Sequence, residues 1–213
     1  MALNNEVYNY IENKYKPNEP IFLAELDIPG MKPVSVRQQM KKLTEAGRLK
    51  RFDTGIYFIP KKSIFRSGST LSVDEVIRKK YLQDDGDCCG YVGGIFFANQ
   101  LGLTTQVPAL YEVYTNKATT EYRETRLADL RVILRKPHCE INTENAETLQ
   151  FLDLMKEVVD ISEVDGAELT KRLLGYMKMK NIGFEKMKPF LQYYPERIYK
   201  NMYEVGLLNG VSA

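Results

Sequence analysis

The side chains whose types and spacing best support chemistry lie between Lys32 and Pro60, in KPVSVRQQMKKLTEAGRLKRFDTGIYFIP. Arg37, Gln38, Lys41 and Lys42 come first, and Arg48, Lys50 and Arg51 follow at once. A guanidinium matches the two acceptors on the major-groove edge of guanine, and a glutamine amide matches the donor and acceptor of adenine. Lysines hold phosphates and set position on the duplex. Ser35 and Gln39 flank this group and add short polar side chains of the kind that contact bases or phosphates. The alternative is a merely solvated basic face. Against it stand the shared phase of the basic residues, the basic hairpin that follows immediately, and the interleaved Gln and Ser. A helix suits the wide groove of B-form DNA, whereas the major groove of A-form RNA is too narrow to admit it.

Other combinations point to less. Asp84, Asp85 and Asp87, with Glu112, Glu121 and Glu124, could in principle hold a metal for phosphodiester cleavage. They fall on a loop and on exposed strand positions without an accompanying Lys or His pattern, so a solvated acidic surface is expected. The single histidine, His138, adjoins Cys139, and one such pair lacks the ligand number of a zinc site. Neighbours in an extended chain face opposite sides, which also separates His138 from Cys139 as a nucleophile–base pair. Cys88, Cys89 and Cys139 contain no CxxC and suggest no disulfide framework. Tyr91-Val92-Gly93-Gly94 is not followed by the Gly-Lys-Ser/Thr of a phosphate loop, so its glycines are expected to allow close packing. No catalytic residue, metal or cofactor is expected.

The elements that must position the basic group follow from periodicity. Leu3, Val7, Tyr10 and Ile11 mark one face of a first helix ending near Tyr15, before Lys16-Pro17. A very short strand over Ile21–Leu23 and one helical turn over Ala24–Leu26 precede a second helix. That helix begins near Pro33, which suits the first helical position. Val36, Met40 and Leu43 form its buried stripe, so Val34, Arg37, Gln38, Lys41, Lys42 and Glu45 point outward. Gly47 ends it, and Arg48–Phe52 and Ile56–Ile59 read as a hairpin joined by Asp53-Thr54-Gly55. Helix, short strand, turn, helix and two-stranded wing describe a winged helix-turn-helix over residues 1–62.

Residues 61–69, KKSIFRSGS, read as a linker to a second domain over residues 63–213. Ser72 with Glu75 has the form of a capping box for a helix running to about Leu82, and Asp165 with Glu168 repeats it. Asp84–Asp87 is expected to be a loop, and Tyr91–Leu101 a helix rich in small residues closed by Gly102. Strands are predicted over Leu110–Thr115, Tyr122–Leu127 and Leu130–Arg135. From about residue 142 the chain turns helical, over Thr143–Val159, from Asp165, over Gly183–Tyr194 with Pro189 near its start, and from Pro195. The segment Leu101–Pro108, LGLTTQVP, reads as a helix exit and polar turn with no site of its own. The expected fold class is α+β: the winged helix-turn-helix, then a mixed domain ending in helices.

Charge agrees with this division. Residues 31–62 carry 9 basic and 2 acidic side chains, a local net of +7 in a chain of net +2. A basic patch inside a near-neutral chain is the electrostatic footprint of one DNA-reading module. With 44% hydrophobic and 27% charged residues the composition is that of a soluble globular protein. No apolar run approaches a membrane span, and the start carries no secretion signal, so a cytoplasmic protein with no membrane partner is expected.

The segment GYVGGIFFANQLGLTTQVP, with YEVYTN after it and RVILRKP later, resembles the AbiEi-type antitoxins of bacterial abortive-infection systems. TGIYFIP, at the end of the basic winged helix, fits the same arrangement. The resemblance covers most of residues 1–137 and is best over 52–116. It implies an N-terminal winged helix-turn-helix that represses its own operon by binding inverted repeats in the promoter. It also implies a larger domain that counteracts a nucleotidyltransferase-like toxin without a stable complex. The expectation is therefore a DNA-binding transcriptional repressor and antitoxin, not an enzyme. Ser35, Arg37, Gln38, Gln39, Lys41, Lys42, Arg48, Lys50 and Arg51 would meet double-stranded DNA. The alternatives are a nucleic-acid-acting enzyme targeted by a winged helix, or a protein-interaction module.

Overall fold

The computed structural model describes residues 5–61 and 69–208. Leu3 and residues 62–68 of the expected linker lie outside the described residues. The chain is a mixed α+β protein that divides into two compact units, Met1–Lys80 and Tyr81–Ala213. The division expected at 62/63 thus falls later in the chain. Helix α3 (Val73–Ile77) and the start of the π-helical turn Arg78–Leu82 belong with the first unit. The local reason is Lys79, whose ammonium donates to Glu19 Oε1 at 2.7 Å and to the Pro20 carbonyl at 2.9 Å, above the ring of Tyr15.

The first unit opens with α1 (Asn5–Lys14), strand β1 (Ile21–Phe22) and one 3-10 turn (Leu23–Glu25). Helix α2 (Pro33–Glu45) follows, with Pro33 in its first turn. Val36, Met40 and Leu43 are buried along one side of it and pack with Val7, Ile11 and Leu49 in a single core. Gly47, at φ +70°, supplies the left-handed residue that reverses the chain after α2. Strands β2 (Lys50–Asp53) and β3 (Ile56–Phe58) form the hairpin, with an irregularity between Arg51 and Asp53 and Gly55 at φ +73°. β1 pairs on the other edge of β3, giving the order β1-β3-β2.

The second unit is built on a four-stranded sheet of order β6-β7-β9-β8. Its strands are β6 (Gly90–Gly93), β7 (Leu110–Thr115), β8 (Tyr122–Leu127) and β9 (Leu130–Arg135). β7 and β9 run parallel and the other two pairs antiparallel. Helices α4 (Gly94–Gln100), α5 (Ala146–Met155), α6 (Val158–Ile161), α7 (Gly166–Met179), α8 (Phe184–Leu191) and α9 (Arg197–Glu204) complete it. Their apolar stripes, including Leu149, Phe151, Leu152, Leu173 and Ile198, converge with Tyr91 and Tyr114 of the sheet in one core.

Several sequence expectations are corrected. Tyr91 and Val92 are not helical. They belong to β6, in register with Tyr114 and Val113 of β7. The small residues serve close approach within the sheet: a Cβ on Gly90 would stand 2.6 and 2.7 Å from the carbonyl oxygens of Tyr81 and Tyr114, and one on Gly93 2.8 Å from the Tyr114 ring. The expected acidic loop is a minimal hairpin, β4 (Gln83–Asp84) with β5 (Asp87–Cys88). Its two turn residues, Asp85 and Gly86, both take positive φ, as a tight hairpin demands. Neither capping box forms. Ser72 and Asp165 make no side-chain cap bond, and the glutamates that would return the reciprocal bond are turned outward, Glu75 to Arg78 and Glu168 to Arg172. Helix Thr143–Val159 is broken after Met155 into α5 and α6, and Pro189 lies inside α8 instead of starting it.

Candidate nucleic-acid interface

The outward side of α2 is set by its own core stripe. With Val36, Met40 and Leu43 held down, Val34, Ser35, Arg37, Gln38 and Lys41 are exposed. Among the described residues Arg37 and Gln38 have no ion-pair or hydrogen-bond partner, and Lys41 reaches only Glu45, at 3.8 Å. This is a row of unspent donors on a rigid helix, with a single acid at its far end.

The structure sorts the remaining candidates. Lys42 is half-buried at the border of the row. Gln39 is turned inward, and its Oε1 is buried without a hydrogen-bond partner, so it does not share the exposed face. Arg48 is half-buried, with its guanidinium 3.8 Å above the ring of Tyr8. That cation–π stack ties the start of the hairpin to α1. Lys50 donates to the carbonyl of Ser69 at 3.2 Å. Arg51 is exposed but clamps the hairpin turn, donating to the Asp53 carbonyl at 3.1 Å and to Thr54 Oγ1 at 3.0 Å. Phase along the helix separates Arg37, Gln38 and Lys41 from the core. It could not show that Arg48 and Lys50 are occupied by partners from outside the hairpin, or that Arg51 clamps the hairpin's own turn.

Helix and hairpin meet around a pocket of about 300 Å³, lined by Arg37 of α2, Leu23 and Glu25 of the 3-10 turn, and Thr54 and Gly55 of the hairpin turn. The Leu23 amide donates to the Gly55 carbonyl at 2.8 Å, which fixes the hairpin tip against the 3-10 turn. The hairpin tip therefore stands beside the N-terminal half of α2, and Arg37 lies between them.

A second polar group lies in the other unit and was missed from sequence. Asp153 is 2% exposed within the apolar run Phe151–Met155 of α5. Its Oδ2 accepts from the hydroxyl of Tyr91 and lies 3.5 Å from that of Tyr194. Its Oδ1 faces the Lys156 ammonium at 2.5 Å and His138 Nε2 at 3.8 Å. Lys156 also stands 3.3 Å from the Tyr114 hydroxyl and 3.4 Å from His138 Nε2. Burial, and then the charge of Asp153, push the phenols of Tyr91, Tyr114 and Tyr194 well above the usual range. Burial lowers His138, with Lys156 acting the same way and Asp153 opposing. Burial and then Glu112 raise Glu157. The sequence signal was a charged residue inside an otherwise apolar stretch of helix. The group's effect is to tie α5 to β6, β7 and the turn after α8.

The acidic residues considered for metal chemistry are mostly paired with cations. Glu112 meets Arg135, Glu124 holds Arg131 at 2.8 and 3.1 Å, and Asp84 lies 3.2 Å from Lys117. Among the described residues no group of three or more His, Cys, Asp or Glu could hold a metal ion. Cys88, Cys89 and Cys139 are free thiols. The LGLTTQVP segment is a loop held at its base. Asn99 Nδ2 donates to the Thr104 and Gln106 carbonyls, and Glu163 accepts from the Thr105 amide and hydroxyl, each at 2.7 Å. Among the described residues no helix is long and apolar enough to cross a membrane. The sequence matches no protein-family model and no curated protein.

Proposed function

We propose that the first unit is a winged helix-turn-helix that binds double-stranded DNA, with α2 as the recognition helix and the β2–β3 hairpin as the wing. The observation that carries this reading is the exposed row Arg37, Gln38 and Lys41, which has spare donors and stands beside the hairpin tip. Arg37 and Gln38 are suited to base edges, and Lys41 to phosphate. Ser35 and Lys42 border the row, and Arg51 presents charge at the wing while holding its turn. Arg48 and Lys50 shape the wing more than they touch DNA, and Gln39 belongs to the support of the helix.

The role we assign is transcriptional repression of the chain's own operon, as in the AbiEi-type antitoxins that the sequence resembles, with an antitoxin function for the second unit. Glu112, Glu124 and Asp84 of that unit are engaged by cations, and the deeply buried Asp153 is closed in by phenols and an ammonium, which favours a non-enzymatic part. The test is a reporter placed behind the DNA upstream of the chain's own coding sequence. The parent represses it, and Arg37→Ala relieves repression at unchanged protein level. Equal repression by both would overturn the assignment. Co-expression with a nucleotidyltransferase-like protein encoded beside it tests the antitoxin half: growth is restored by the parent if that half is correct and stays arrested if it is not.

A further inference from the structure

Val34 is the one apolar side chain on the outward face of α2. It is 61% exposed, in the first turn of the helix directly after Pro33. At 100° per residue, Gln38, Lys41 and Glu45 all lie within about 40° of it, so it sits in the middle of the polar face and not at its edge. A β-branched residue lowers helix propensity relative to alanine, and at this exposure it recovers little of that through burial. Folding alone does little to call for valine here, although singly exposed apolar residues also occur elsewhere in the chain, such as Val107 and Met179.

A ligand supplies a reason. The major groove of B-DNA offers one apolar group, the C5-methyl of thymine. A recognition helix presents its N-terminal residues to base edges. Val34 stands one turn before Arg37 and Gln38, at i+3 and i+4, with Cβ atoms about 5–6 Å apart. Base pairs are stacked about 3.4 Å apart along the duplex, so the three side chains span roughly two consecutive steps.

We propose that Val34 reads a thymine methyl beside the bases addressed by Arg37 and Gln38, and is thereby a specificity-determining residue. This rests on the DNA-binding reading above. A duplex chosen by α2 then carries a thymine one or two pairs from the guanine or adenine that these neighbours select.

The experiment uses the full chain. A preferred duplex is selected from a random-sequence library, and each thymine in turn is replaced by uracil, which removes only the methyl group. One replacement is expected to weaken the parent about fourfold, the equivalent of one buried methyl. The same replacement leaves Val34→Ser unaffected, because the two truncations remove one contact. Val34→Ser alters an exposed position, and its unchanged urea midpoint confirms an intact fold. If the parent binds the duplex but no uracil replacement matters, or the replacement weakens Val34→Ser equally, the Val34 assignment is overturned while DNA binding stands. If the parent binds no duplex even at low salt, the DNA-binding reading itself fails, and this assignment with it.

Discussion

Replacing Lys41 by alanine isolates the electrostatic part of the proposed interface. Lys41 and Glu45 have side chains 80% and 63% exposed, at 3.8 Å, so their pair contributes no more than roughly 0.5 kcal/mol to folding. Alanine is also the better helix former, so α2 stays intact. On DNA, one phosphate contact accounts for about 0.9 of the slope of log affinity against log salt concentration. Between about 50 and 200 mM salt, that slope is worth about 3.5-fold in affinity. The full chain is titrated against a labelled duplex by fluorescence anisotropy at several salt concentrations in this range. Lys41→Ala is expected to bind every sequence more weakly and to show a slope shallower by about one. Gln39→Ala, at a neutral and inward-turned position, keeps the parent slope. If Lys41→Ala retains the parent slope while both fold equally well, Lys41 does not face phosphate and the orientation given to α2 is wrong.

Three predictions concern the second unit. Gly90→Ala is expected to destabilise the protein by about 2 kcal/mol or more in urea unfolding, since its Cβ would meet two backbone oxygens at 2.6 and 2.7 Å. A variant within about 0.5 kcal/mol of the parent would show that β6 does not pack as described. Asp153→Leu leaves Lys156 without its counter-charge and the Tyr91 hydroxyl without its acceptor, while Tyr194 keeps the Leu149 carbonyl. Because the Lys156 side chain keeps 24% of its exposure, the loss is set at about 2 kcal/mol, below that of a fully buried pair, and urea midpoints measure it. No change in midpoint would remove Asp153 from its central place. His138 is held below its ordinary value by burial, so the unfolded chain binds the proton more readily. Its contribution is therefore complete above about pH 6.5 and is lost as pH falls through the lowered folded value. Between about pH 7.5 and 5.5 the parent should lose more stability than His138→Gln, and identical pH profiles would contradict the lowered proton affinity of this partly covered imidazole.

What could be read from sequence followed local periodicity. Val36, Met40 and Leu43 located the core side of α2, and with it the exposed side, because a 3.6-residue repeat is self-contained. Strands β7, β8 and β9 were legible for the same reason, since β-branched and aromatic residues recur through Leu110–Arg135. Failures came where distant elements decide. Tyr91-Val92 resembles the start of a helix until β7 is present to pair with it. Ser72 and Asp165 carry the letters of a cap, but Arg78 and Arg172 compete for the glutamates on which a capping box depends. Arg48 looked like one more free cation, and only the fold brings Tyr8 beneath it. The Asp153 group was hidden most deeply, because its members come from residues 91, 114, 138, 153, 156 and 194. Val34 was placed outward by phase, yet its meaning depended on finding it 61% exposed among polar neighbours.

The central claim is that the exposed face of α2 grips duplex DNA. Its most direct test is equilibrium binding of the full chain to the duplex upstream of its own coding sequence, with Arg37→Ala/Lys41→Ala alongside. The parent is expected to bind that duplex in preference to a scrambled one of equal length. The double variant is expected to lose both the preference and most of the affinity, with its urea midpoint unchanged. Equal affinity of parent and double variant, or no binding by the parent at low salt, would contradict the account.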